Sequence, residues 1–536
     1  MYKLLLCWRY LLTRYIALVS VVSVMLGVAT MIVVNAVMLG FTTEMQNRIH
    51  GILADVIFES SNDMRGMPNA PWHMDEIRNV AGDLIEEMTP TVVVPAMLTY
   101  HLGIEGAEPR SMPVELIGID APTQSRVSEI TKYLQHPENR RELSFDLRES
   151  GYNIQGDSKD GSGAFRYEMG YAGWEYRRTT ATRKKARREH EEHERRMEQQ
   201  FDPATYSLNP KTEEVAAASQ GEPKDPFAEA PSNPEAVFDA AKQQHAGAVI
   251  GFNLSLMRRM DKTDPETGDR RVIDRLALIP GDDVYLTFPT SAVPTTLQSD
   301  NFTVVDLYES KMMEYDSRLV YVPIEKLQQL RGMYDPVSET YRVTQILIKA
   351  KPGVSLDELR DRIRSHFPEE LFHVSTWRDK QETLLAAVFN ELAMLNVLLF
   401  LIFAVAGFGI LAIFYMIVVE KKKDIGIMKS LGASSLGIMQ IFLYYSLLLG
   451  AVGACLGLGM GLLFVKYIKE IAKVLSYILR SEVFSPEVYS FYEIPTIVQP
   501  MTVFWIMCGA LFIAVMAGIL PAIRAARLHP VESLRS

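Results

Sequence analysis

His190 and His193, three residues apart, are the nearest this chain of 536 residues comes to a metal site. They could supply half of one, but no third ligand stands near them in the sequence, and zinc needs three or four. The basic residues between Arg177 and Arg196 could bind a polyanion. They are interleaved with Glu189, Glu191, Glu192, Glu194 and Glu198 at i,i+3 and i,i+4 spacing, the pattern of a salt-bridged helix in water. No Gly-rich loop ends in Gly-Lys-Ser/Thr to cradle nucleotide phosphates, and neither a His-Glu-x-x-His helix nor a Gly-x-Ser-x-Gly elbow is present. No residue is therefore assigned a catalytic or metal-ligating role, the chain is not read as an enzyme, and no cofactor is expected on it.

The segment with a definite physical use is EKKKDIGIMKSLGAS, residues 420–434. It reads as a charged exit from an apolar run, then a short amphipathic helix with Ile425, Met428 and Leu431 on one face, then a break at Gly432. An apolar knob flanked by lysines is what a docking helix for a soluble partner needs. Gly453, Gly457 and Gly461 repeat every four residues and place small residues on one helix face, which permits close helix approach; ordinary tolerance of glycine in membrane helices would give the same spacing.

The elements that hold these residues follow from the uneven distribution of apolar side chains. Runs at 15–41, 392–419, 435–465 and 500–523 carry no charged side chain, and a bilayer core needs about 20 helical residues. The fold class is a polytopic α-helical membrane protein with four transmembrane helices. A large extracytoplasmic α+β domain, 42–391, lies between helices 1 and 2. The first run is too long for the apolar part of a cleaved signal peptide and reads as a retained signal anchor. Lys3, Arg9 and Arg14, then Lys421, Lys422, Lys423 and Lys429, then Arg524, Arg527 and Arg535 fall on one side of four spans. That side is the cytoplasm, so 1–14, 420–434 and 524–536 are cytoplasmic and both termini lie inside. The connection at 466–499 contains KYIKEIAKVLSYILR, whose helical spacing suggests an amphipathic helix at the outer interface. Cys7, Cys455 and Cys508 lie in or beside spans, leaving no disulfide for the external domain.

Within that domain Asp55–Phe58, Thr91–Val94, Val114–Ile117 and Val284–Thr287 read as strands and Leu356–Phe367 as a helix. Residues 151–246 interrupt the pattern. Their polar, Pro- and Gln-rich composition cannot offset the entropy of ordering, so a largely disordered insert is expected, with one solvated helix near Arg183–Gln200. The spans hold almost no ionisable groups for a proton relay or an ion pathway, so energy must come from elsewhere.

Glu420, Asp424, Ile425, Gly426, Lys429, Leu431, Gly432 and Ala433 resemble the coupling loop of FtsX-like ABC permeases. Pro521, Arg524, Ala525, Ala526, Pro530, Val531, Glu532 and Leu534 are similar to their C-terminal signature. RYLLTRYIALVSVVSVMLGVATMIVVNAVMLGF, followed by Arg48, Ile49 and Asp55, resembles the first span of lipoprotein-releasing (LolC/LolE-type) permeases. FTVVDLYESKMMEYDSRLVYVPIEKLQQL, with Tyr315-Asp316-Ser317, and Trp377 are similar to their external domain. The likeness covers the spans and most of the external domain, roughly 430 residues; residues 151–246 depart from it.

The resemblance implies a cytoplasmic ABC ATPase, holding ATP and magnesium, docked on Glu420, Asp424, Ile425, Gly426, Met428, Lys429, Leu431 and Gly432. It implies a second permease copy or paralogue in the membrane and a periplasmic chaperone or adaptor outside; no nucleic-acid partner is expected. The activity implied is mechanotransmission that releases lipoproteins or other lipidated substrates from the outer leaflet of the cytoplasmic (inner) membrane. Entry from that leaflet needs an apolar entrance without fixed charge near Val37 to Phe41 and Leu392 to Asn396, which Val37, Met38, Leu39, Leu392, Met394 and Leu395 supply; packing or lipid contact is the alternative use of these side chains. Two other functions fit the same spans: export of peptides, antibiotics or other amphiphiles, and regulation of an external cell-wall hydrolase. The long external domain argues against the last.

Overall fold

The computed structural model describes residues 15–61, 65–101, 108–152, 167–200, 238–263, 270–310, 312–337, 339–479 and 494–529. It divides into two compact units, Gly51–Trp377 and a second unit formed by the segments on either side of it in the chain.

In chain order, helix α1 (Tyr15–Ile52) comes first and runs past the expected end at residue 41. Hydropathy detects the charge-free stretch and not the helix end; Glu44 and Arg48 continue the helix and pair at 2.9 Å.

The Gly51–Trp377 unit is α+β. It begins with β1 (Val56–Ser60), α2 (Ala70–Ala81), β2 (Ile85–Tyr100) and β3 (Arg110–Ile119). After α3 (Trp174–Gln200) come β4 (Ala246–Gly251), the hairpin β5 (Leu256–Thr263) and β6 (Arg270–Leu276), β7 (Asp283–Pro289), β8 (Leu297–Tyr308) and β9 (Leu319–Pro323). It ends with a small hairpin, β10 (Tyr334–Asp335) and β11 (Thr340–Tyr341), then β12 (Gln345–Ala350), α4 (Leu356–Arg364) and β13 (Phe372–Thr376).

Nine strands form one sheet in the order β13-β1-β12-β2-β3-β9-β4-β8-β7. β2 also pairs with β7 through Met97–Thr99, so the strands from β2 to β7 close into a ring. β2 is 16 residues long, enough to serve β12 with its first half and β7 with its last residues. Where it changes partner, Pro95 offers no N–H and the Val93 N–H is taken by Thr344 Oγ1 at 2.7 Å, so the switch leaves no donor stranded. Inward residues of alternate register, among them Phe58, Val92, Val94, Leu98, Leu116, Val304, Ile346 and Ile348, form the core.

The first turns of α3 belong to this unit. Trp174 N donates to Arg148 O at 3.0 Å. The buried Arg177 guanidinium pairs with Asp283 at 2.7 Å and donates to Gly281 O and Gln243 O. The Tyr176 hydroxyl donates to Asp282 at 2.9 Å. Beyond these turns α3 is solvated and laced by Arg187–Glu191 and Arg196–Glu192 pairs. The expected helix near Arg183 thus starts earlier, at Trp174, because its aromatic and arginine first turns are anchored on the sheet. The strand β4, inside the expected insert's last residue, is central to the sheet. The expectation for residues 153–166 and 201–237 lies outside the described residues. His190 contacts Glu194 at 3.3 Å, and among the described residues no three His, Cys, Asp or Glu side chains gather to hold a metal.

The second unit contains α5 (Glu382–Glu420), α6 (Lys422–Ser430), α7 (Ser435–Lys466), α8 (Ile468–Leu479) and α9 (Pro500–Arg527). Among the described residues four helices, α1, α5, α7 and α9, are long and apolar enough to cross a membrane. α5 begins ten residues before the expected 392, and α9 runs on to Arg527 with Pro521 inside it. A Cβ on Gly453 would lie 2.7 Å from Val24 Cβ, one on Gly457 2.7 Å from the Met25 carbonyl oxygen, and one on Gly461 3.2 Å from Ala29 Cα. The three glycines therefore carry the close approach of α7 to α1. Val28, Ile410, Phe414, Ile438, Leu449 and Ala514 make the bundle core, while Phe408 (69% exposed) and Phe512 (66%) face outward. A soluble unit would not leave such side chains in water over its whole girth; a bilayer accepts them.

Candidate functional site

The docking segment is built without slack. Lys421 is both the C-cap of α5 and the N-cap of α6, and its ammonium pairs with Asp424 at 2.7 Å. α6 ends where Gly432 takes φ +95°, a left-handed turn that a side chain would strain. Ser434 Oγ then accepts from Gly437 N at 3.1 Å and starts α7.

The face of α6 turned outward is not the one expected. Ile425 is 1% exposed, a member of the bundle core, and Gly426 is buried beside it, while Met428 is half-buried against the same core. Ile427 (47%) and Leu431 (83%) are the exposed apolar pair, one turn apart. The expected Ile425–Met428–Leu431 face is corrected to Ile427–Leu431 because an apolar stripe can serve the protein's own core as well as a partner. Glu420 and Asp424 are exposed at the start of the segment, and Gly432 is exposed at its end.

Lys429 has a role that the spacing did not reveal. Its ammonium donates to the carbonyl oxygens of Ala526 at 2.5 Å and Leu528 at 2.8 Å, two acceptors at the C-terminus of α9. A helix leaves its last carbonyls unpaired and partly negative, so a half-buried lysine there is both a cap and a countercharge. Arg524 lies over the ring of Tyr415 at 5.3 Å, a second tie on α9, this one to α5. The expected C-terminal motif continues beyond residue 529, outside the described residues.

A cavity of about 370 Å³ lies between α1, α5, α9 and the segment at 497–499. Met38, Leu39, Phe389, Leu392 and Ile506 give it apolar walls, and no charged side chain lines it. Asn35, Thr42, Gln46, Asn396 and Gln499 add amides and a hydroxyl. Asn35 Nδ2 and Thr42 Oγ1 donate back to Met31 O and Met38 O within α1. Ile497 N donates to Ala36 O at 2.9 Å, and the Pro495 carbonyl sits where a Cβ on Gly40 would go, so the 495–497 segment lies directly against α1.

Of the six entrance residues expected, Met38, Leu39 and Leu392 line the cavity. Val37 and Leu395 are half-buried outside its lining, and Met394 (74% exposed) faces away. Met394 is corrected because two residues along a helix turn the side chain by about 200°. Asn396, at the end of the expected Leu392–Asn396 stretch, lines the cavity, whereas Phe389, on the same face as Leu392 at i−3, was missed; helical phase from Leu392 would have found it.

These parts meet a family model. Residues 396–530 match the model described as FtsX-like permease C-terminal. Over these residues the chain is similar to an FtsX-like permease domain. The matched stretch contains α6, α7, α8, α9 and most of α5, hence the docking segment, the Lys429 cap and the Asn396 wall of the cavity; α1 and the Gly51–Trp377 unit lie outside the match. A "Lipoprotein-releasing system transmembrane protein LolC" of Xylella fastidiosa is 29% identical over 248 residues, 46% of this chain and 58% of that protein. The LolE protein of Haemophilus influenzae is 26% identical over 195 residues, 36% of this chain and 47% of that one. The "Macrolide export ATP-binding/permease protein MacB" of Bdellovibrio bacteriovorus is 26% identical over 242 residues, 44% of this chain and 34% of that protein. The matches thus span between about a third and about three-fifths of the length of these relatives.

Proposed function

We propose that this chain is the membrane subunit of an ATP-driven ABC transporter that releases lipoproteins or other lipidated substrates from the outer leaflet of the inner membrane by mechanotransmission. The observation that carries the reading is α6: a short helix between two apolar helices, capped into α5 at one end and tied by Lys429 to α9, exposing Ile427 and Leu431. Such a helix can receive a soluble partner and pass its displacement to two neighbouring helices. The partner is a cytoplasmic ABC ATPase carrying ATP and magnesium, so α6 and both termini face the cytoplasm. A second permease copy or paralogue pairs with this chain, and an outer chaperone or adaptor receives the substrate. The likeness to LolC and LolE proteins supports the lipidated substrate, and the charge-free cavity fits acyl chains.

Efflux of amphiphiles is the second reading, favoured by the likeness to a MacB protein and by the amides on the cavity wall. The docking test is the double change Ile427→Ser with Leu431→Ser, which leaves the bundle core intact and should abolish co-purification of the ATPase, since a few apolar anchors dominate such interfaces. Undiminished recovery of the ATPase would refute the docking role. Photo-crosslinkers at Met38 and Phe389 should capture a lipidated protein without nucleotide and release it on ATP addition; capture of a drug or a non-lipidated peptide instead would establish efflux.

A further inference from the structure

Helix α8 is used by neither the docking segment nor the cavity, and its two faces differ sharply in chemistry. Along α8, at about 100° per residue, Ile468, Ile471, Val474 and Leu475 fall on one arc, whereas Lys469 and Glu470 occupy positions on the opposite arc, and the end of α7 and the turn before α8 carry Lys466 and Tyr467. The apolar arc is only half used by the protein. Ile468 is buried and Ile471 half-buried, while Tyr467, Val474 and Leu475 are exposed. Lys469 on the other arc and Lys466 at the end of α7 are both exposed.

The position of α8 says what covers it. It starts one residue after α7 ends, and the last turns of α7 expose Leu462, Leu463 and Phe464, so exposed apolar side chains continue past the turn onto α8. At that turn the Lys466 ammonium lies 5.6 Å from the ring centroid of Tyr467, an aromatic–cation pair of the kind found where hydrocarbon meets water. Water would wet Val474 and Leu475. A lipid boundary satisfies both arcs, with acyl chains against one and phosphates against the other.

We infer that α8 lies in the lipid–water boundary beside α7 and that Lys466 and Lys469 bind anionic lipid headgroups there. This rests on α7 being a membrane span. The test uses the full chain, with Cys7, Cys455 and Cys508 changed to Ser, in nanodiscs of phosphatidylcholine and phosphatidylglycerol. A bimane fluorophore is attached at Val474→Cys, Glu470→Cys or Leu463→Cys, and quenching by nitroxide-labelled lipids is read. Label at positions 463 and 474 should be quenched by lipid and label at 470 by an aqueous nickel complex. Labelled phosphatidylglycerol should quench position 474 several-fold more than labelled phosphatidylcholine, and changing Lys466 and Lys469 to Gln should abolish that preference. Quenching at 463 but not at 474 would mean that protein, such as a second copy, covers α8, and would overturn the inference while leaving the span in place. Equal quenching by the two lipids would overturn headgroup recognition. Lack of lipid quenching at 463 would refute the span itself and the inference with it.

Discussion

Replacing Lys429 by Met keeps the length and the apolar stem but removes the ammonium that caps α9. Two charge-assisted hydrogen bonds are lost, at 2.5 and 2.8 Å, together with the countercharge at a helix C-terminus. A hydrogen bond to a charged group contributes about 1.5–3 kcal/mol and a C-terminal cation about 0.3–1 kcal/mol. One half-buried ammonium shared by two carbonyls is screened by solvent, so the combined loss should be about 1.5–3 kcal/mol, not the sum over both bonds. The loss is local, because α9 remains packed through Ala510, Ala514 and Ala522. Hydrogen exchange of the amides near 519–529, measured on the full chain in nanodiscs, should therefore speed up by roughly 10- to 100-fold at tenfold per 1.4 kcal/mol, with exchange in the middle of α9 unchanged. Lys429→Arg, which keeps the charge and the donors, should restore part of the protection. Identical exchange in the wild type and the Met variant would show that the two contacts do not hold the end of α9.

Further outcomes follow from packing and protonation. Gly457→Ala would place a methyl 2.7 Å from the Met25 carbonyl oxygen and 2.8 Å from Val28 Cβ, and should destabilise the bundle by about 1–3 kcal/mol, whereas Gly459→Ala, with nothing within 4 Å, should be neutral or slightly stabilising; thermal midpoints in detergent compare the two. Burial among Phe58, Phe367 and Phe372 lowers the pKa of His73 below its ordinary 6.5. The unfolded chain then takes up this proton first as pH falls, so the stability is present above about 6.5 and is lost on acidification, by at most about 1.4 kcal/mol per pH unit. His73→Phe should flatten that part of the slope in denaturation of the Gly51–Trp377 unit within the full chain; an unchanged slope would remove His73 as its source.

The sequence made some of this legible because some of the physics is local. A run without charges is detectable residue by residue, so the four apolar helices were visible, but their ends were not. Glu382 to Glu391 precede the apolar run, and only packing decides that α5 starts there. The strands at 56, 91, 114 and 284 were readable from β-branched content; the ring closed by β2 and β7 was not, since Leu98 meets Leu286 across 188 residues of chain (286 − 98) and no short window contains both. α3 illustrates the reverse failure. Its charge-rich body was recognised, but Tyr176 and Arg177 find their partners at Asp282 and Asp283, more than a hundred residues on. In the docking segment, spacing identified a stripe on α6, but only the fold tells which of Ile425 and Ile427 belongs to the bundle.

If the chain works by the proposed mechanotransmission, the single residue between α5 and α6 fixes how motion is geared. A flexible loop would absorb a push on α6, but Lys421 is bonded into both helices and leaves nothing to stretch. α5 has 39 residues, so at 1.5 Å each it is a rod of about 58 Å, and tilting it by about 5° about one end moves the other by roughly 5 Å. Side-chain contacts reach only about 4 Å, so a tilt small enough to leave the packing near the pivot undisturbed exchanges one set of neighbours for another at the distal end. In that mechanism the long rod would work as an amplifier whose gain is set by its length, and inserting a flexible glycine pair beside Lys421 would lower that gain without touching either end.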